Sequence, residues 1–155
     1  MNDKGRKYMR QMIDSVQGQI SEPVLAASVF TTAGAMASMG VGMISPLAGM
    51  LMRRSGKKKA DGLPFNVGIF VTPTKVHVFE MKPSRGKMAP RELKQTWDRR
   101  QFQVSTEDKA MATKVVVEFP SEGRQVVLEA MKGSGGMNEE VIRYLSEPGL
   151  TQQAV

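Results

Sequence analysis

Apolar side chains recur at Met9, Met12, Ile13, Val16 and Ile20, the i, i+3/i+4, i+7 spacing of one helical face. That spacing predicts an amphipathic helix over residues 1–22, stopped by Pro23. Lys4, Arg6, Lys7 and Arg10 crowd its start. Two readings stand side by side: a helix that meets an acidic membrane or a partner groove, and a helix that covers this protein's own core.

From Val24 to Met52 no residue is charged, and a hydrocarbon core needs about 20 apolar residues to be crossed. Ser, Thr, four glycines and Pro46 interrupt the run, which makes it a marginal span. Gly34, Ser38 and Gly42 stand four apart, a spacing that lets two helix backbones pack closely. Arg53, Arg54, Lys57, Lys58 and Lys59 follow at once. Beside a span they would hold the rest of the chain in the cytoplasm; beside a soluble segment they would meet acidic headgroups. Ala35-Met-Ala37 has the small residues of a signal cleavage site, but Asp3, Asp14 and Glu22 are foreign to a leader.

Beyond Gly62 the pattern changes to strands. Asn66–Val71 and Lys75–Lys82 flank a Thr-Pro-Thr turn, and a loop rich in Pro, Gly and charge (PSRGKMAPRE) follows. LKQTWDRRQFQVS reads as one extended segment carrying Trp97, Phe102 and Val104. Lys114–Phe119 and Gln125–Met131 alternate cleanly around Pro-Ser-Glu-Gly and predict a hairpin. A helix closes the chain, with Asn138 as its N-cap, Val141, Ile142, Tyr144 and Leu145 as its apolar stripe, and Pro148 as its stop. Strands followed by a terminal helix are α+β grammar. The expected divisions are an amphipathic basic helix at 1–22, a Gly/Ala/Met-rich apolar segment with a basic loop at 23–61, a strand domain at 62–147 and a tail at 148–155.

Composition sharpens this. With 155 residues, 41% of them apolar and 24% charged, the chain supports one domain with a real core. The absence of cysteine excludes disulfides and thiolate chemistry. The net charge of +7 is uneven: residues 1–60 hold nine Lys and Arg against three Asp and Glu, the remainder thirteen against twelve. A basic arm on a near-neutral body suggests an anionic surface met from one side.

Catalytic chemistry finds no foothold. His77 is the only histidine, so neither a histidine metal site nor a Ser-His-Asp set can be assembled around a second one. Glu107-Asp108 and Glu139-Glu140 read as solvated turn and helix-start residues. Gly133-Ser-Gly-Gly136 follows a strand and precedes a helix, but lacks the Lys-Ser/Thr of a phosphate loop and reads as a connector. No catalytic residue, metal or cofactor is expected. Nucleic-acid binding is a further reading: Arg85, Lys87, Arg91, Lys94, Arg99 and Arg100 supply charge, and Tyr8, Trp97 and Phe102 supply stacking.

The order VGIFVTPTKVHVFE, a Trp-bearing strand, VVVEFPSEGRQVVLEA and NEEVIRYL resembles a bacterial pleckstrin-homology-like (PH-like) domain over about residues 62–147. VLAASVF (24–30) would be the first strand and 31–61 an enlarged first loop. The resemblance implies a partly open antiparallel barrel capped by the C-terminal helix, serving as a binding or assembly scaffold and not as an enzyme. It implies that basic residues of the first loop, here Arg53, Arg54, Lys57, Lys58 and Lys59, face anionic headgroups. The next strand carries no basic residue and the closing helix no tryptophan, so diffuse attraction is expected in place of a specific inositol-phosphate pocket. The expected protein is a cytoplasmic scaffold at the inner membrane surface, bound to acidic lipid or a protein partner and able to self-associate. The alternative is a single-pass membrane protein with a cytoplasmic PH-like domain.

Overall fold

The computed structural model describes residues 1–32, 62–133 and 135–147. Helix α1 (Asp3–Val16) passes through a 3-10 turn at Gln17–Gln19 to strand β1 (Ala26–Thr32). Strands β2 (Asn66–Val71), β3 (Lys75–Ser84), β4 (Lys87–Asp98), β5 (Gln103–Asp108), β6 (Ala112–Phe119) and β7 (Arg124–Met131) follow, and α2 (Met137–Ser146) closes the fold. The strands form one antiparallel open sheet in the order β4-β3-β2-β1-β7-β6-β5. With α2 packed against it, this α+β architecture is consistent with a PH-like arrangement, and VLAASVF does supply the first strand.

Alternation sorts the sheet into two faces. Ser28, Ile69 and Val78 pair across β1, β2 and β3 on one of them. That face looks toward α2, whose Asn138 side chain bonds the Ser28 hydroxyl. Val29, Gly68 and Phe79 pair on the other face, and Gly68 and Phe79 are buried there too. A Cβ on Gly68 would lie 2.6 Å from Met81 Sδ and 2.8 Å from Phe70 Cε2, so the outer face is packed as well. Its cover is α1, which buries Met9, Met12 and Val16 with Ile20 just beyond. Full burial of such side chains contributes about 1.5–3 kcal/mol each. Of the two readings of this helix, the apolar face belongs to the protein's own core.

Three local expectations change. PSRGKMAPRE is no loop: β3 runs on to Ser84 and β4 starts at Lys87, joined by a tight Arg85-Gly86 turn. Both turn residues have positive φ (51° and 77°), matching the twist of a two-residue hairpin. The prolines are tolerated because the β2 ladder has ended before Pro83 and Pro90 lies on an edge strand. The Trp-bearing segment is two strands, β4 and β5, at opposite edges of the sheet. Between them Gln101 N donates to Asp98 O at 3.0 Å, and Trp97, Phe102 and Phe119 meet edge to face with centroids 5.4–6.0 Å apart. Finally, Gly136 and not Asn138 caps α2. Asn138 is drawn inside, where it bonds Ser28 and donates to Met131 O at 2.6 Å.

The corner beside β1 positions the candidate site. β1 pairs with β2 from Ala26 to Thr31, yet meets β7 only at Thr31 and Thr32. The first half of β1 thus parts from β7, and the start of α2 packs into the opening.

Candidate functional site

Lys4, Tyr8, Gln11 and Ser15 occupy one flank of α1 at i, i+4, i+7 and i+11. This flank faces the β3–β4 hairpin. The Tyr8 hydroxyl donates to Met88 O at 2.7 Å, and Lys87 Nζ donates to Gln11 Oε1 at 3.1 Å. Burial raises the Tyr8 phenol above its ordinary range, opposed by the bond to Met88. Two hollows meet at Tyr8 and Met88. One, of about 400 Å³, lies between α1, β1, β4 and the β7–α2 link; the other, of about 330 Å³, runs toward the Arg85-Gly86 turn.

The β7–α2 link seats the start of α1. Asn2 N donates to Gly135 O at 2.9 Å, and the Asn2 side chain accepts from Gly5 N at 2.8 Å. A Cβ on Gly5 would sit 2.7 Å from Gly135 O, so the close approach needs glycine. Gly135 and Gly136 of this link therefore hold the start of the protein's own α1.

Lys4, Lys7, Arg10, Arg85, Lys87 and Arg91 are exposed and form no ion pair among the described residues. The Lys87–Gln11 contact brings the hairpin tip beside Lys7, one turn back along α1. Lys109, Lys114 and Lys132 likewise form no ion pair among the described residues, whereas other basic residues are engaged. Arg6 pairs with Asp3, Lys94 with Glu92 and Arg100 with Asp98. Arg99 is 6% exposed, and its guanidinium donates to Thr72 O, Pro73 O, Tyr144 O and Glu147 O. Trp97 and Phe102 are interior, so of the three stacking residues of the nucleic-acid reading only the half-buried Tyr8 remains accessible.

The opposite end of the sheet holds further perturbed titrations. Glu22 accepts from Thr74 Oγ1 at 2.7 Å and Thr72 Oγ1 at 2.8 Å. Burial pushes its pKa up, but these bonds together outweigh burial and leave it below its usual value. Asp98 is held well below the carboxylate range, first by its hydrogen bond from Arg100. His77 is lowered by burial, with Glu22 opposing and Lys75 assisting. All three bind protons more weakly folded than unfolded, so each stabilises at higher pH. The His77 contribution is complete above about pH 6.5 and fades below it; those of the carboxylates fade below about pH 4. Urea midpoints are expected to fall in two stages on acidification, and His77→Gln to flatten the first. A midpoint that rises between about pH 7 and 5 contradicts this.

Gly34, Ser38 and Gly42, together with Arg53, Arg54, Lys57, Lys58 and Lys59, lie outside the described residues, as does the tail at 148–155. The first part of the uncharged run, Ala26–Thr32, is strand β1. Among the described residues no helix is long and apolar enough to cross a membrane, and no three His, Asp or Glu gather as a metal site. The α1 cations stood out in the sequence; their hairpin neighbours did not, because the prolines disguised a two-residue turn as a loop. No family model matches the chain, and the search of curated proteins found no relative. The protein's class thus rests on architecture: an α+β protein with a seven-stranded antiparallel sheet and a C-terminal helix.

Proposed function

We propose that this protein is a non-enzymatic PH-like binding scaffold that associates with an acidic lipid surface through its basic N-terminal segment. One observation carries the reading: Lys87 of the β3–β4 turn reaches Gln11 of α1, one helical turn from Lys7, and Lys4, Lys7, Arg85 and Lys87 are all exposed and without acidic partners among the described residues. Lys4 and Lys7 are mounted on a helix whose apolar face is anchored in the core, and Arg85 and Lys87 on the turn of a paired hairpin. Each cation near an acidic membrane contributes about 1 kcal/mol, so four make a weak, salt-sensitive attachment. Arg53, Arg54, Lys57, Lys58 and Lys59 join it in this reading. The connection carrying them leaves from Thr32 and returns at Asn66, at the same sheet end as the Arg85-Gly86 turn. The attachment is diffuse, and protein partners recruited to the membrane surface are the other half of the scaffold reading.

Co-sedimentation of the full chain with vesicles tests this. Binding is expected with phosphatidylglycerol-containing vesicles, not with phosphatidylcholine alone, and is expected to be lost by about 0.5 M salt. Changing Lys4, Lys7, Arg85 and Lys87 together to Gln should weaken it about tenfold or more. Equal binding to neutral vesicles, or indifference to the four substitutions, would defeat the proposal. Retention through high salt would do so too, and would favour an inserted segment.

A further inference from the structure

The hollow of about 400 Å³ beside Tyr8 is a second feature, which shares only Lys4 with the charged surface. Its size falls within the range of about 300–1,000 Å³ that small-molecule sites occupy. Its walls are soft and apolar: Tyr8, Val29, Met88 and Met137. Its inner polar groups are spent within the protein. The Tyr8 hydroxyl donates to Met88 O, and Ser28 is bonded to Asn138. The walls therefore suit an apolar tail. Among the described residues Lys4 is the one charged residue that lines the hollow, and it is exposed and has no acidic partner there.

We infer that this hollow binds a free single-chain amphiphile with an anionic head, such as a medium-chain carboxylate. Its acyl chain lies against Val29, Met88 and Met137, and its carboxylate meets the Lys4 ammonium. Methionine side chains repack readily and accommodate chains of differing shape. The complementary charge selects an anionic head over a cationic one. The site exists because β1 parts from β7 while α1 closes the opening from the side.

The test titrates the full chain with decanoate while following methionine methyl NMR signals. Decanoate is expected to shift Met88 and Met137 saturably and to leave the exposed Met111 unmoved. Decyltrimethylammonium should not reproduce the shifts, and phosphatidylglycerol vesicles should not move them. Lys4→Glu should weaken decanoate by roughly threefold or more, since one exposed ion pair is worth up to about 1 kcal/mol. Val29→Phe should fill the hollow and abolish binding. If that variant unfolds, Lys4→Glu, altered only at an exposed side chain, still decides. The inference falls if Met88 and Met137 show no saturable shift, if the cationic amphiphile binds equally, if vesicles shift them equally, or if Lys4→Glu changes nothing. Vesicle binding that fails while decanoate binds removes the surface attachment and leaves this site; the reverse removes this site alone.

Discussion

Replacing Arg99 by Met is expected to lower stability by about 1.5–3 kcal/mol, the range for losing hydrogen bonds made by a charged donor. One guanidinium bridges two distant parts of the chain: the β2–β3 turn, through Thr72 O at 3.0 Å and Pro73 O at 3.2 Å, and the end of α2, through Tyr144 O and Glu147 O at 3.1 Å. The last carbonyls of a helix have no partner within it, and a cation there meets the negative end of the dipole. Burial disfavours the charged form, chiefly opposed by Glu147, yet a guanidinium does not lose its proton. Met fills similar space but leaves those carbonyls without their donor. Lys keeps the charge and loses the planar fork, so Arg99→Lys should recover only part of the loss. Urea unfolding measures both. A shift below about 1 kcal/mol for Arg99→Met would mean that water replaces the guanidinium freely.

Met12→Ala is expected to cost about 2–4 kcal/mol, the range for truncating a buried Met in a core. Met12 is 2% exposed and belongs to one cluster with Val16, Phe70 and Phe79. Substitution at Arg10, exposed on the same helix, should stay within about 0.5 kcal/mol. The contrast separates a helix built into the fold from a detachable arm. A free arm would make both changes silent in a urea transition followed by Trp97 fluorescence. Because the apolar face is already covered, surface attachment in the proposed function falls to the cations.

Elements with strong internal pattern were legible in the sequence. The β6–β7 hairpin announces itself by Val115, Val117 and Phe119 against Val126, Leu128 and Ala130, and its turn closes on Gly123 at φ 63°. The α1 stripe is equally plain. What escaped were residues whose roles depend on distant partners. Nothing local separates Arg99 from Arg100 in Asp-Arg-Arg, though one is buried and the other pairs with Asp98. A signal was present, because strand alternation carried one step past β4 puts Arg99 on the side of Trp97. Asn138 likewise looks like a cap from its neighbours, and only the approach of Ser28 on β1 draws it inward. The candidate site was half visible. Charge on α1 could be counted, but its meeting with Arg85 and Lys87 required the hairpin that Pro83 and Pro90 concealed.

The junction at Thr32 has a consequence for how this fold tolerates change. Thr31 pairs with Asn66, and Thr32 N donates to Phe65 O at 3.0 Å, so the ladder closes where β1 is left and β2 entered. Both mouths of the connection are thus fixed by the sheet, and Leu63, 3% exposed, ties its last residues into the core. The body is in effect a chassis: the ladder from Ala26 to Thr31 sets the register of β1 on β2 from within the sheet itself, whatever joins the two mouths.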